Sequence, residues 1–174
     1  MLKDITINLN VLESMIYFWE ASKEGEKIGE AYLMTIADHP MMQLTYDEEF
    51  NAESVRRALS AITNREIFSG NKTERKFWNN NMWMMDDFDI MRAMVKPVKT
   101  LNLSEIVAEL ADKDLPYSDV EIVILPMHNV SYQIAENKLL MNFFKIQLDF
   151  MDFDLVQFEG QSVKDFVKEA ISQM

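Results

Sequence analysis

The chain has 174 residues, 48% of them hydrophobic and 26% charged, with a formal net charge of −12 and no cysteine. That length and balance suffice to fold without a staple, and the missing cysteines exclude disulfides, thiolate metal sites and a cysteine nucleophile. The acidic balance opposes polyanions, so neither nucleic acid nor an anionic membrane is an expected partner.

Residues 1–174 read as one globular domain, with a seam expected near Pro97. No apolar run approaches the roughly 20 residues of a membrane helix, and Met1–Thr6 lacks the features of a signal peptide, so a cytoplasmic location is expected.

Ile5, Ile7 and Leu9 alternate with polar residues, which predicts a short strand. Asn10 and Glu13 stand at capping-box spacing ahead of a helix from Val11, whose inner face is Leu12, Met15, Ile16 and Trp19. Glu26–Ala37 reads as a second helix, closed before Pro40. Asn51 caps a third, with Val55, Leu59 and Ile62 as its stripe. Thr73 is the expected cap of a helix reaching toward Val95, divided at Asp86-Asp87.

Beyond Pro97 the pattern changes. Val98–Leu103 reads as extended, followed by a short helix capped by Ser104. Val120–Leu125 is an apolar strand, and Tyr132–Ala135, Lys138–Phe150 and Phe153–Phe158 read as three further strands joined by tight turns. Ser162 opens a last amphipathic helix through Val163, Phe166, Val167, Ala170, Ile171 and Met174. The expected fold is α+β: a helical N-terminal half, a C-terminal antiparallel β-meander and a C-terminal amphipathic helix.

Glycine occurs only at positions 25, 29, 70 and 160, so the dinucleotide fingerprint, the phosphate loop and the nucleophile elbow are all missing. His39 and His128 lack the spacing of a zinc pair. Asp149, Asp152 and Asp154 are the nearest approach to an oxygen-ligand set, but they fail the calcium-loop pattern and read better as gatekeepers beside aromatic strands. No cofactor and no bound metal are expected.

All five arginines fall between residues 51 and 100, a window with nine Lys and Arg against six Asp and Glu. The same window carries Phe77-Trp78-Asn79-Asn80-Asn81-Met82-Trp83-Met84-Met85. Arginine forks suit carboxylates and phosphates, tryptophan offers a stacking face, and both are enriched at interface hot spots. Arg56, Arg57, Arg75, Trp78, Asn80 and Trp83 are therefore the binding candidates, with His128 added because strand-end loops host sites. The plainer reading makes these residues core and ion-pair network.

Phe77–Trp83, Lys99–Leu103 and Leu140–Lys145 resemble a family of short uncharacterised bacterial proteins that carries no assigned activity. That resemblance implies a bacterial, cytoplasmic, single-domain protein and transfers no residue role. The function expected from the residues is non-enzymatic binding of a protein partner, or of a second copy, through the Arg/Trp/Met-rich region. The alternatives are binding of a small anion or nucleotide there, and a divalent-metal enzyme built on the meander aspartates.

Overall fold

A computed structural model describes residues 1–174. Its backbone divides into a helical unit, Asn10–Phe88 with Leu125–Val130, and a sheet-bearing unit, Met1–Leu9, Asp89–Ile124 and Ser131–Met174.

The helical unit holds α1 (Asn10–Lys23), α2 (Glu30–Ala37), the single turn α3 (Pro40–Gln43), α4 (Ala52–Thr63) and α5 (Lys72–Asp86). Val11, Leu12, Met15, Phe18 and Trp19 form the buried face of α1, as helical periodicity requires. α2 begins at Glu30 rather than Glu26. Gly29 stays extended there (φ −68, ψ 152), and the Ile28 N–H is drawn off to the Thr63 hydroxyl at 2.7 Å.

Pro40 stands in the first turn of α3, where His39 Nδ1 accepts the Met41 N–H at 3.1 Å. His39 thus caps a helix start. α4 carries a complete capping box between Asn51 and Ser54 and buries Val55, Ala58, Leu59 and Ile62. α4 packs against α2 and α5, and α1 also packs against α5.

The sheet-bearing unit contains β1 (Asp4–Asn8), α6 (Phe88–Lys99), α7 (Leu103–Glu109), β2 (Asp119–Leu125), β3 (Tyr132–Ala135), β4 (Lys138–Asn142), β5 (Gln147–Asp149), β6 (Asp152–Phe158), β7 (Gln161–Ser162) and α8 (Val163–Ser172). One sheet has the order β1-β2-β4-β3, and the other is β5-β6-β7. β1 runs parallel to β2, Ile5 beside Val120 and Ile7 beside Ile122, while β3 and β4 form an antiparallel hairpin. β6 is antiparallel to both of its neighbours. No helix is long and apolar enough to cross a membrane.

The α+β expectation holds, with three local corrections besides the start of α2. Val98 is helical, because α6 continues through Pro97 to Lys99. Proline removes one hydrogen bond, but Met91, Met94, Val95 and Val98 are buried at helical spacing and hold the last turn. Lys138–Phe150 is not one strand. A 3-10 turn at Phe143–Lys145 divides it, capped by Asn142 Oδ1 accepting the Phe144 N–H at 3.0 Å, so the meander falls into two sheets. Asn71 and Asn102, not Thr73 and Ser104, cap α5 and α7.

α8 opens at Ser162 and buries Val163, Phe166, Val167, Ala170 and Ile171. Its Phe166 ring lies 4.5 Å from Phe158 of β6 and 5.0 Å from Tyr132 of β3. That ring ties the two sheets together through one side chain.

Candidate functional site

Helix α5 carries most of the residues that the sequence singles out. Its start is fixed by Asn71 and Glu74: Asn71 Oδ1 accepts the Glu74 N–H at 2.8 Å, and Glu74 Oε1 accepts the Asn71 N–H at 3.0 Å. From that start, Glu74, Phe77, Asn81 and Met84 turn inward. Phe77 meets Phe50 edge-on at 4.9 Å. Asn81 is fully buried, with Oδ1 accepting the Trp19 indole N–H at 2.9 Å and its amide donating to the Phe77 carbonyl at 2.9 Å. One asparagine of the run is therefore a satisfied core residue. Asn79 is exposed and Asn80 half-buried.

The opposite face of α5 presents Lys72, Arg75, Lys76, Asn79, Met82 and Trp83 to solvent. Trp83 is 55% exposed and Met82 37%, unusual for large apolar side chains on a helix whose other face is core. Lys72, Arg75 and Lys76 engage no carboxylate. Rising 1.5 Å per residue, the stripe from Lys72 to Trp83 is about 16 Å long.

Arg56 and Arg57 behave differently. Arg56 donates to both carboxylate oxygens of Glu53, and to Glu30 at 3.2 Å. The Glu53 hydrogen bond above all raises the Arg56 pKa, and the same bond lowers that of Glu53. Arg57 donates to Glu74 at 3.1 Å and to the Ser69 carbonyl, with its guanidinium over the Phe68 ring at 5.5 Å. Burial pushes the Glu74 carboxyl upward, but the Ser54 hydroxyl, the Asn71 N–H and Arg57 outweigh it and leave its pKa lowered. These two arginines tie α4 to α2 and α5. They border a shallow depression of about 350 Å³ with Ser60, Ile67 and Phe68.

Trp78 is half-buried and stacks parallel to Phe68 at 6.3 Å, with its indole N–H buried and unpartnered. His128 is buried, its side chain 1% exposed, and its ring stacks on Phe50 at 4.3 Å. Nε2 lies 2.7 Å from Asp47 Oδ2, while Nδ1 is buried without a partner. Asp47 Oδ1 also accepts the N–H groups of Glu49 and Phe50, and the His128 hydrogen bond is the main reason its carboxyl titrates below the usual range. Because Phe50 contacts both His128 and Phe77, the histidine lies on the core side of α5, away from the exposed stripe.

Of the seven candidates, the structure brings Arg75 and Trp83 together on the open face. It places Arg56 and Arg57 in ion pairs, Trp78 and Asn80 at the margin, and His128 in the core. Lys72 and Met82 join the open face: with Asn71 as the cap, helical spacing aligns them with Arg75, Lys76 and Trp83. Asp47 had no such signal, being 81 residues from its partner.

Two of the meander aspartates serve local structure, and the third, Asp154, has Lys96 Nζ 3.7 Å from its Oδ1. Asp149 Oδ1 accepts the Met151 N–H at 2.8 Å and Asp152 Oδ1 the Asp154 N–H at 3.0 Å. No group of three or more His, Asp or Glu side chains is arranged to hold a metal ion. No protein-family model, no curated protein and no solved structure matches the chain.

Proposed function

We propose that this chain is a non-catalytic binding protein that docks an acidic protein surface on the outer face of α5. The observation that carries the reading is the stripe itself: three cations without carboxylate partners, beside exposed Met82 and Trp83, on a chain of net charge −12. A cation held away from carboxylates in so acidic a molecule remains available to a partner's carboxylates. Tryptophan and arginine supply the anchor chemistry of interface hot spots, and methionine adapts to varied contours.

A small anion or nucleotide fits less well. Its sites are concave and enclosing, whereas this stripe runs along a convex helix face for about 16 Å. A reducing, cytoplasmic setting suits a chain without cysteine.

The test uses Trp83 as its own reporter. A peptide of alternating glutamate and phenylalanine should shift the indole emission to the blue and saturate, and the shift should vanish in Trp83→Phe. Affinity should fall as salt rises, since exposed charges are screened over about 8 Å at physiological ionic strength. A shift unchanged in Arg75→Gln/Lys76→Gln would refute the reading. Association that grows with protein concentration in sedimentation, and that the peptide competes away, would place a second copy on the stripe instead.

A further inference from the structure

The C-terminal ends of α1, α4 and α5 meet around a cavity of about 250 Å³. Ile62, Met82 and Met85 give it an apolar wall, and Ser22, Lys23, Arg65 and Asp86 supply its polar groups. Met82 is the one residue it shares with the α5 stripe. Helix carbonyl ends carry partial negative charge, so a cation at such a place needs no ligand to explain it. That accounts for Lys23, whose Nζ donates to the Asp86 carbonyl at 3.0 Å and lies 4.9 Å from the centre of the Phe88 ring. It does not account for Arg65, whose guanidinium bonds to no carbonyl and no carboxylate.

Arg65 is also held in place at a cost. α1 and α4 end in the same motif. The Glu26 N–H donates to the Ala21 carbonyl at 3.0 Å and the Gly25 N–H to Ser22 at 3.2 Å; the Glu66 N–H donates to Ala61 at 2.9 Å and the Arg65 N–H to Ile62 at 3.2 Å. The residue that turns the chain stands at positive φ, 92° at Gly25 and 55° at Arg65. Glycine suits that conformation and would close α4 without the strain that arginine carries there. The turn sets the guanidinium beside the end of α1, with one terminal nitrogen 3.8 Å from the place a Cβ on Gly25 would take.

Two further groups are unspent. Ser22 is only 5% exposed, and its buried hydroxyl has no hydrogen-bond partner. The Asp86 carboxylate, like Arg65, is in no ion pair, although both residues line the same cavity. Opposite charges that share a cavity without bonding each other complement a ligand that carries both signs. A simple anion would leave Asp86 and three helix carbonyl ends unanswered, and a simple cation would meet Arg65.

We propose that this cavity binds a free α-amino acid with an aliphatic side chain. The planar fork of Arg65 takes the carboxylate, Asp86 takes the ammonium, and the Ser22 hydroxyl gains the hydrogen bond it lacks. Ile62, Met82 and Met85 enclose the side chain, the two thioethers adapting to its shape. The cavity is smaller than the roughly 300–1,000 Å³ of drug-sized sites, which suits a single residue. This site goes beyond the α5 stripe, which meets a protein surface.

The experiment is calorimetric titration with leucine, with N-acetyl-leucine, which lacks the ammonium, and with leucinamide, which lacks the carboxylate. Leucine should bind saturably and raise the melting temperature as its concentration grows, and each analogue should bind at least about tenfold more weakly. Arg65→Gly should weaken leucine binding at least about tenfold while the melting temperature of the free protein stays level or rises. Asp86→Asn should weaken it by a similar factor. Arg75→Gln/Lys76→Gln should bind leucine as the wild type does, which separates this site from the stripe. No saturable heat from leucine would overturn the proposal, as would an analogue that binds as tightly as leucine. A lowered melting temperature in Arg65→Gly would overturn it too, by making Arg65 a structural residue.

Discussion

The outer face of α5 and the β5–β6 hairpin both expose large apolar side chains, yet they carry opposite charge and have opposite support. α5 is backed by a full core face, Phe77 and Met84 inward and Asn81 bonded to Trp19, so its open face is a rigid platform. The hairpin is exposed from Phe150 to Leu155; Phe158 at its base is buried against Phe166, and beyond the base Lys96 of α6 lies 3.7 Å from Asp154 Oδ1. Net charge conceals this contrast. A protein of −12 presents three cations without carboxylate partners on one helix and a run of carboxylates on one hairpin, with Lys96 beside Asp154. Local charge, together with what backs it, decides what each surface can meet.

The largest expected effect concerns that anchorage. Phe166→Ala removes the ring shared by Phe158 and Tyr132 and should cost about 3–5 kcal/mol in denaturant unfolding. A loss below about 1 kcal/mol would mean the hairpin base stands without α8, and the contrast in support would fail.

Next comes the core side of α5. Asp47→Asn deprives buried His128 of its carboxylate and should cost about 1–3 kcal/mol. Asp47 has a folded pKa below its unfolded value, so its contribution is present above the unfolded carboxylate value near 4 and is lost as pH falls through the lowered folded value. Wild-type stability should therefore decline below about pH 4 more steeply than that of Asp47→Asn. Parallel pH profiles would remove the link. Trp83→Ala should change stability by no more than about 0.5 kcal/mol, and a larger loss would make Trp83 part of the core and erase the platform.

How far the sequence reaches differs between the two surfaces. The α5 stripe was half legible: Arg75, Trp83 and the local excess of cations were plain, and Asn71-Lys72-Thr73-Glu74 held the capping box that sets the helix phase. Packing is what separates Arg75 from Arg57, since the partners of Arg57, Glu74 and the Ser69 carbonyl, are brought to it only by the tertiary fold. The last helix and its stripe were legible because Ser162 and a continuous 3.6-residue period agree. The short pairing of β6 with β7 was not. Strand pairing is non-local, and nothing in Asp152–Phe158 reveals that β7 stops after two residues. The parallel pairing of β1 with β2 was hidden for the same reason, Asp4 and Asp119 being 115 positions apart.

The central claim is that arginine and lysine in the 51–100 window serve two separate purposes, and one paired measurement tests it. Arg56→Gln/Arg57→Gln and Arg75→Gln/Lys76→Gln are compared for unfolding free energy and for affinity toward the glutamate–phenylalanine peptide. The account predicts that the first variant loses about 1–3 kcal/mol, chiefly because mostly buried Glu74 is left without its cation, and binds the peptide as the wild type does. It predicts that the second keeps its stability within about 0.5 kcal/mol and binds at least about tenfold more weakly. The reverse pattern, with Arg56 and Arg57 carrying the peptide and Arg75 and Lys76 carrying the fold, would contradict the account.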